Sequence, residues 1–468
     1  DVDPMFGTLN DFDELVETAH KLGIRVMIDL VISHTSDQHP WFEESRQNRE
    51  NDKADWFVWA DPKDDGNPPN NWLSIFGGSA WQWDGRREQY YLHNFLVSQP
   101  DLNFHNPVVQ DTLLDVVRFW LERGVDGFRM DTLNFYFHDQ ELRNNPPMPK
   151  ELRNDKIAPA VNPYNHQRHT YDRNRPENLE FLKRFRAVLD EYGAASVGEV
   201  GDAELGLKLI GDYTSGNERV NMCYAFDFLA PDFPEASRIA EVMGAVDKEV
   251  GEGWCCWAFS NHDCVRHTSR WNLSLQSQKL LTTLIMSLRG SVCIYQGEEL
   301  GLTEAELNFE DLQDPYGIEF WPEFKGRDGC RTPMVWQSDN SSAGFSTGKP
   351  WLPVSPEHLT KAVTAQEDVT DGILHHYRSA IALRHEYKAL SKGDHSGVKA
   401  IGTIAHFVRT FEGESILCAF NLSSEPATFE LPQGSWSTIG ANLGALEIDG
   451  SKYVELGPWQ PILAKLVN

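Results

Sequence analysis

The sequence lacks the features that mark membrane and nucleic-acid-binding proteins. None of its 468 residues lies in an uninterrupted apolar run of about 18 or more, so no segment is predicted to span a bilayer. Basic residues are scarce, with 42 Lys and Arg against 70 Asp and Glu and a formal charge of −28. Nucleic acids and anionic membrane surfaces require a basic protein face. We therefore expect neither nucleic acid nor a membrane among its partners.

Cysteine is sparse and irregularly placed. The chain has seven Cys, an odd number without CxxC spacing, and two of them are adjacent at 255–256 in an apolar stretch. Disulfide frameworks and zinc sites use paired or regularly spaced cysteines. We therefore predict seven reduced cysteines within the core. Since reduced thiols are typical of reducing compartments, the prediction extends to a cytoplasmic protein.

Helix and strand patterns alternate through most of the chain, whose length allows two to four domains. The helix patterns cover 11–22, 107–123, 178–192, 235–250, 275–288 and 373–385, and the strand patterns cover 24–31, 125–130, 195–200, 222–228, 254–260 and 291–296. Such alternation predicts a parallel sheet covered by helices, in the α/β class. The sequence fingerprint of doubly wound nucleotide-binding folds does not recur along the chain. The alternative closed form is the (β/α)8 TIM barrel, whose sites lie at the C-terminal strand ends.

Composition changes indicate further domains. Pro, Gly, Asn and Trp are concentrated in one long stretch after the first strand pattern, and a second stretch is rich in Pro and charge. Near the C-terminus the pattern changes to the alternation of antiparallel strands. The predicted organisation is a barrel at 1–38 and 101–390 that includes an insertion at 139–177, a loop-rich inserted domain at 39–100, and a C-terminal antiparallel β-sandwich at 391–468.

Charged residues recur where four predicted strands end. They are Asp29 and His34, Arg129 and Asp131, Glu199, and the pair His262 and Asp263. Strand ends of a barrel converge on one face, and buried charges are costly unless they are paired or used. Four such ends in one barrel therefore indicate an active site.

Three carboxylates beside an arginine and two histidines suit the hydrolysis of glycosidic bonds. A retaining glycosidase needs an ionised carboxylate as nucleophile and a protonated carboxyl as acid, about 5–5.5 Å apart. Asp131 shares a strand side with Arg129, two residues earlier, and is expected to stay ionised. Glu199 stands between Gly198 and Val200, and an apolar environment is expected to keep it protonated.

Six segments resemble, in order, signature regions of the α-amylase family of glycoside hydrolases. They are DLVISH (29–34), QPDLN (99–103), GFRMDTLNF (127–135), GEV (198–200), SNHD (260–263) and GRDGCRTPMVW (326–336). QPDLN is similar to an extra signature of the oligo-1,6-glucosidase and α-glucosidase branch. The last segment is similar to the one that gives this branch an arginine for the non-reducing-end glucose. The resemblance implies a (β/α)8 barrel.

The resemblance also implies residue roles. Asp131 matches the family's nucleophile, Glu199 its acid/base and Asp263 its transition-state stabiliser. The sugar pocket is expected to include His34, Phe76, Phe95, Arg129, His262 and Arg331. Thr132 follows the nucleophile, where similar enzymes with Thr or Ala prefer α-1,4 bonds and those with Val prefer α-1,6 bonds.

Two features depart from the family pattern. Ser33 stands where the family usually has Asn before its His, a change expected to retune a hydrogen bond and to leave activity in place. The chain begins after the family's first strand, first helix and second strand, so six predicted strands and two missing ones make eight. The missing part is expected to hold an Asp that pairs with Arg331 and a calcium- or magnesium-binding loop. No cofactor or metal site is predicted within the chain itself.

These expectations describe a retaining exo-α-glucosidase that acts on α-1,4 bonds of maltose and short α-glucosides, with a capacity for transglycosylation. The insertion at 139–177 resembles that of Halomonas-type bacterial α-glucosidases, which act on very short substrates. Alternatives within the family are an oligo-1,6-glucosidase and a sucrose- or trehalose-converting transglycosidase. A non-catalytic role like that of transporter heavy chains is disfavoured because Asp131, Glu199 and Asp263 are all present.

Overall fold

The computed structural model describes residues 1–467, which separate into two compact units. The first unit comprises Asp1–Tyr224 and Val250–Trp254, and the second comprises Ala225–Glu249 and the chain from Cys255 onward. The domain boundaries predicted from the sequence were placed where the type of secondary structure changes along the chain. They remain predictions. Within the described residues, no helix combines the length and the apolar character needed to cross a bilayer.

The first unit is built on parallel strands that alternate with helices. Its elements are α1 (Leu9–Lys21), β1 (Met27–Leu30), α2 (Pro40–Ser45), β2 (Trp59–Ala60), β3 (Trp81–Asp84), β4 (Gln89–Leu92), α3 (Pro107–Glu122), β5 (Gly127–Met130), α4 (Asn178–Tyr192), β6 (Ala195–Glu199), α5 (Gly206–Thr214) and the start of β7 (Met222–Ala225). β5 pairs in parallel with β1 and β6, and β6 pairs in parallel with β7. The predicted alternation is confirmed here, and α4 has the predicted bounds.

Local sequence explains where these helices begin and end. α1 begins with a capping box, in which the Thr8 hydroxyl accepts the Asp11 N–H and the Asp11 carboxylate accepts the Thr8 N–H. α3 begins with Asn106 as its cap and a proline at the next position. α4 ends at Gly193 in the left-handed conformation. α5 was not predicted, because two glycines in GLKLIGDYT obscure its helical pattern.

The inserted region at 39–100 contains a small antiparallel sheet, although the sequence predicts mainly loops there. β4 lies between β2 and β3, and the apolar core beneath them includes Trp72 and Trp81. The strands escape prediction because β3 breaks the expected alternation. Its Trp83 is exposed whereas its Asp84 is buried in an ion pair.

The second unit contains two further parallel strands and the C-terminal strands. Its elements are α6 (Ala236–Ala245), β8 (Cys255–Trp257), α7 (His267–Arg270), α8 (Leu275–Ser287), β9 (Ser291–Val292), α9 (Pro315–Glu319), α10 (Pro356–Leu359), α11 (Val363–Gln366), α12 (Ile373–Glu386), α13 (Lys388–Lys392), β10 (Asp394–Ile401), β11 (Ile404–Phe411), β12 (Glu414–Asn421), β13 (Ala427–Glu430), β14 (Ser435–Thr438), β15 (Tyr453–Leu456) and β16 (Pro461–Val467). β8 and β9 are parallel. The helix predicted at 235–250 is regular only to Ala245 and continues as a π-helical turn.

The C-terminal region is antiparallel, as the alternating pattern predicts. Five strands pair in the order β10-β11-β12-β16-β14, and β13 pairs with β15. Both sheets contribute to one apolar core that includes Leu417, Phe429, Leu456 and Ile462. Two sheets that share a core in this way form a β-sandwich.

All seven cysteines are free, which confirms the prediction that none forms a disulfide. Five of them are buried, and Cys264 and Cys293 are half-buried. Burial raises the pKa of the Cys255 thiol to about 12. Thiols of this kind are unreactive packing residues.

Candidate active site

Three parallel strands of the first unit bring charged side chains to one level. Asp29 of β1 is the register partner of Arg129 of β5. Asp131 follows β5, and Glu199 ends β6. Side chains two residues apart share a strand face, and adjacent strands are about 4.8 Å apart. These four residues, hereafter the Arg129 cluster, therefore meet at the C-terminal ends of the strands.

The guanidinium of Arg129 binds all three carboxylates of the cluster. Its Nη1 donates to the Asp29 carboxylate at 2.9 Å and to Asp131 Oδ1 at 2.5 Å, and its Nη2 donates to Glu199 Oε2. Burial lowers the pKa of Arg129, but Glu199, Asp131 and Asp29 outweigh this effect and raise the pKa well above its ordinary value. Arg129 therefore remains a cation that fixes the positions of its acidic neighbours.

Glu199 does not lie in the apolar environment that its sequence neighbours predict. Its carboxylate pairs with Arg129, and its Oε2 lies 3.4 Å from the backbone nitrogen of Thr132. Neighbouring side chains of a strand point to opposite faces. Gly198 and Val200 therefore face away from the side that carries the Glu199 carboxyl.

The backbone turns sharply directly after Asp131. Thr132 has φ 42° and ψ 46°, in the left-handed region. A β-branched residue there costs on the order of 1–3 kcal/mol, so surrounding contacts must hold it. The turn packs tightly against β6, since a Cβ atom at Gly198 would lie 2.5 Å from Leu133 Cδ2. Strain of this kind beside a cluster of carboxylates is typical of functional sites.

An aromatic row lies next to the Arg129 cluster. The ring centroids of His34 and Phe95 are 5.4 Å apart, and those of Phe95 and Phe76 are 5.8 Å apart. His34 and Phe95 are buried, whereas Phe76 is half-buried. Burial lowers the pKa of His34 against the opposing effect of Asp131, so the imidazole is neutral at neutral pH. The row forms an apolar wall with one polar, uncharged ring.

Asp101, in the QPDLN segment, is a buried carboxyl beside this row. Its backbone pairs with that of His34, and its carboxyl accepts the backbone N–H of Asn94 at 3.3 Å. Burial raises the pKa of Asp101 to about 8, against the lowering effect of the bonds from Asn94. The unfolded chain releases this proton near pH 4. Because the folded state keeps the proton longer, this carboxyl lowers stability as pH rises from about 4 to about 8.

We expect Asp101→Asn to remove this pH-dependent loss of stability. Between about pH 5 and pH 8, the midpoint of thermal unfolding should fall less in the variant than in the parent, because an amide does not titrate. The exposed Asp64→Asn is the matched control and should keep the parental slope. Equal slopes in the parent and in Asp101→Asn would mean that the carboxyl is already ionised in the folded protein.

The second unit contains a separate charged cluster formed by His262, Asp263, Arg327 and Arg331, hereafter the Asp263 cluster. Arg327 Nη1 and Arg331 Nη2 each donate to Asp263 Oδ1 at 2.8 Å, and His262 Nε2 lies 3.2 Å from Oδ2. Burial raises the pKa of Asp263, but His262, Arg327 and Arg331 outweigh this effect and the pKa is lowered. Asp263 is therefore held as an anion.

Arg327 belongs to this cluster although sequence analysis did not single it out. Its Nε and Nη2 form a fork onto Asp314, with bonds of 2.9 and 2.8 Å, while Nη1 reaches Asp263. A bidentate arginine has one fixed orientation, so Asp314 aims Arg327 at Asp263. The signal for Arg327 was its place in the GRDGCRTPMVW segment. Asp314 lies in no recognised motif.

In the structure, each of the ten predicted site residues contacts at least one other predicted site residue. Seven of the ten lie in the first unit and three in the second. Gln99 is a further contact that prediction missed, because its Nε2 lies 3.0 Å from His34 Nε2. Over residues 1–467, no group of three or more His, Cys, Asp and Glu side chains is arranged to hold a metal ion.

Comparison with known families identifies the class of protein. The model of the alpha-amylase catalytic domain matches residues 1–393, so the chain belongs to the α-amylase family. It has the fold of that family, a (β/α)8 barrel with a C-terminal antiparallel β sheet, and it is a glycoside hydrolase. The family membership and the enzyme class predicted from the six segments are confirmed.

Individual relatives narrow the comparison. A probable alpha-glucosidase from Rhizobium meliloti is 61% identical over 471 positions, which cover 100% of this chain and 85% of that protein. An oligo-1,6-glucosidase from Heyndrickxia coagulans is 33% identical over 94% of this chain and 84% of that protein. The crystal structure of the alpha-glucosyl transfer enzyme XgtA is 51% identical, with a TM-score of 0.96 over 100% of this chain and 87% of that chain.

Proposed function

We propose that this enzyme is a retaining exo-α-glucosidase that releases glucose from the non-reducing ends of maltose and short α-1,4-glucosides. The observation that carries the proposal is the single guanidinium of Arg129, which binds both Asp131 and Glu199. Because both carboxyl groups bind the same guanidinium, we expect them to lie about 5–5.5 Å apart, as in retaining enzymes. The two carboxyl groups of inverting enzymes lie about 6.5–9.5 Å apart. The similarity to a probable alpha-glucosidase supports the choice of substrate.

In the first step, Asp131 attacks the anomeric carbon while Glu199 protonates the departing glycosidic oxygen. Arg129 holds Asp131 Oδ1, and the Thr132 hydroxyl donates to Oδ2 at 3.3 Å, so the carboxylate is oriented before substrate arrives. Three carboxylates surround one guanidinium, and repulsion between like charges favours keeping one proton among them. We assign that proton to Glu199.

In the second step, Glu199 is a carboxylate and acts as the base. It takes a proton from water, and the resulting hydroxide equivalent attacks the anomeric carbon of the glucosyl ester on Asp131. The C–O bond to Asp131 breaks, the carboxylate is regenerated, and two inversions give net retention. We assign Asp263 to transition-state stabilisation, since its anionic carboxylate can accept hydrogen bonds from sugar hydroxyls. His262 and Arg331 are assigned to glucose binding.

Transfer of glucose to an acceptor is a second candidate function. The similarity to the alpha-glucosyl transfer enzyme XgtA favours it. The chemistry differs only in the second step, where an acceptor hydroxyl replaces water at the same glucosyl ester. The ratio of trisaccharide to free glucose formed at high maltose concentration distinguishes transfer from hydrolysis.

The proposed steps use protein side chains alone, and we assign no cofactor to them. Small α-glucosides are the proposed partners, and the charge of −28 argues against nucleic acid. We further propose a cytoplasmic location, which the seven free cysteines support.

We expect the full-length protein to release glucose from maltose faster than from isomaltose, and Thr132→Val to shift this ratio toward isomaltose by about tenfold. The substitution replaces the hydroxyl that donates to Asp131 with a methyl group at nearly constant volume. Thr112→Val is the control, because its hydroxyl donates to the carbonyl of Val108 within α3. A parental preference for isomaltose would overturn the α-1,4 assignment. A folded parent inactive on both sugars would overturn the proposed function.

A further inference from the structure

We infer that Ser33 is a positioning residue for the nucleophile. It is the central link of a directed hydrogen-bond chain that runs from Gln99 through His34, Ser33 and Thr132 to Asp131. This hydrogen-bond chain has one direction, because each donor along it has one available acceptor. The inference rests on the proposed role of Asp131 as nucleophile and assigns a function to the serine that replaces the family's usual asparagine.

The amide of Gln99 sets the direction of the chain. Gln99 Oε1 accepts the backbone N–H of Leu96 at 3.0 Å, and this bond turns Nε2 toward His34 Nε2 at 3.0 Å. An amide nitrogen can only donate, so His34 Nε2 is the acceptor. In a neutral imidazole the ring proton then lies on Nδ1.

The remaining links follow from the two ends. His34 Nδ1 lies 2.9 Å from Ser33 Oγ, so its proton is donated to the serine. At the other end, the carboxylate of Asp131 can only accept, so the Thr132 hydroxyl donates to Oδ2 at 3.3 Å. The contact of 3.2 Å between Ser33 Oγ and Thr132 Oγ1 must therefore have Ser33 as its donor.

Burial and backbone geometry make this chain a fixed arrangement. Ser33 is 3% exposed and His34 is 8% exposed, so water competes little for their hydrogen bonds. Thr132 is held in the left-handed region, which aims its side chain at both Ser33 and Asp131. Linked hydrogen bonds polarise one another in such a low-dielectric setting.

The hydrogen-bond chain determines where the second oxygen of the nucleophile points. Arg129 binds Asp131 Oδ1, whereas Oδ2 accepts a hydrogen bond from the Thr132 hydroxyl. With Ser33 absent, no donor occupies the lone pair of the Thr132 hydroxyl, and that hydroxyl can rotate away from Asp131. The carboxylate then loses orientation toward the anomeric carbon.

The test is Ser33→Ala in the full-length protein, with kcat and KM for maltose hydrolysis measured separately. We expect kcat to fall about tenfold, as expected for one lost hydrogen bond, while KM stays unchanged. In a Thr132→Val background, the same Ser33→Ala change should not lower kcat further, because the hydrogen-bond chain is already interrupted at Thr132. Ser36→Ala, an exposed neighbour on the same loop, should behave as the parent.

Each opposing result overturns the inference. These results are an unchanged kcat in Ser33→Ala, a further loss of the same size when Ser33→Ala is added to Thr132→Val, and a change confined to the unfolding midpoint. Asp131→Asn is measured in parallel to identify which proposal fails. An inactive Asp131→Asn beside an unaffected Ser33→Ala overturns only the role of Ser33. An active Asp131→Asn overturns the nucleophile and the positioning role together.

Discussion

Asp131→Asn is expected to abolish glucose release from maltose, with kcat lowered on the order of 10⁴-fold or more. An amide cannot form the glucosyl ester, and it carries no charge for Arg129 to orient. The protein should stay folded, because the amide oxygen can still accept a hydrogen bond from Arg129. The measurement is steady-state hydrolysis of maltose beside a thermal unfolding curve.

Rescue by azide makes this prediction specific for a nucleophile. In Asp131→Gly, azide can occupy the vacated position and attack the anomeric carbon, and the product should be the β-glucosyl azide. Asp29→Asn is the matched control, because Asp29 also binds Arg129 but is not assigned an attacking role. It should lose less activity and gain nothing from azide. A rescued Asp29 variant, or an α-configured azide product, would contradict the assignment.

Glu199→Gln should lower maltose hydrolysis by a factor on the order of 10³ or more while leaving reaction with activated substrates possible. The leaving group of maltose is a second glucose, whose oxygen needs a proton from Glu199 to depart. Fluoride and nitrophenolate leave as stable anions without that proton. With α-glucosyl fluoride, the variant should form the glucosyl ester on Asp131 quickly and hydrolyse it slowly. A burst of fluoride release followed by a slow phase is the expected signature.

The pH profile provides a second measurement on the same variant. The alkaline limb of kcat/KM for the parent should disappear in Glu199→Gln, because the titrating acid is gone. Glu204→Gln in the following loop is the control, since Glu204 pairs with Arg168 and is assigned no part in the reaction. Equal losses on maltose and on glucosyl fluoride would argue that Glu199 is not the acid.

Elements that depend on local patterns could be predicted closely. The helix at 178–192 is found with the predicted bounds, because its apolar residues recur at helical spacing and Gly193 ends it in the left-handed conformation. The helix at 206–214 was missed, because its glycines hide that spacing. The strands of the 39–100 region were missed because they are only two to four residues long and because β3 breaks the expected alternation.

The candidate site shows the same division between local and distant information. The charged residues at the strand ends were predicted from their positions after buried strands. The environment of Glu199 was not, since the residues beside it in sequence face the opposite side of β6. Asp314 was not predicted either, because its bond to Arg327 joins two loops without a periodic pattern.

The sequence by itself determined the alternation of helices and parallel strands, the unpaired cysteines, the family and the identity of the charged residues at the strand ends. These depend on spacing along the chain, on composition and on short motifs. Only the tertiary structure decided that Arg129 binds three carboxylates and that the hydroxyls of Ser33 and Thr132 lie within hydrogen-bonding distance. Strand register places Asp29 beside Arg129, 100 positions further along the chain, and the left-handed backbone of Thr132 places its hydroxyl beside Ser33, 99 positions away.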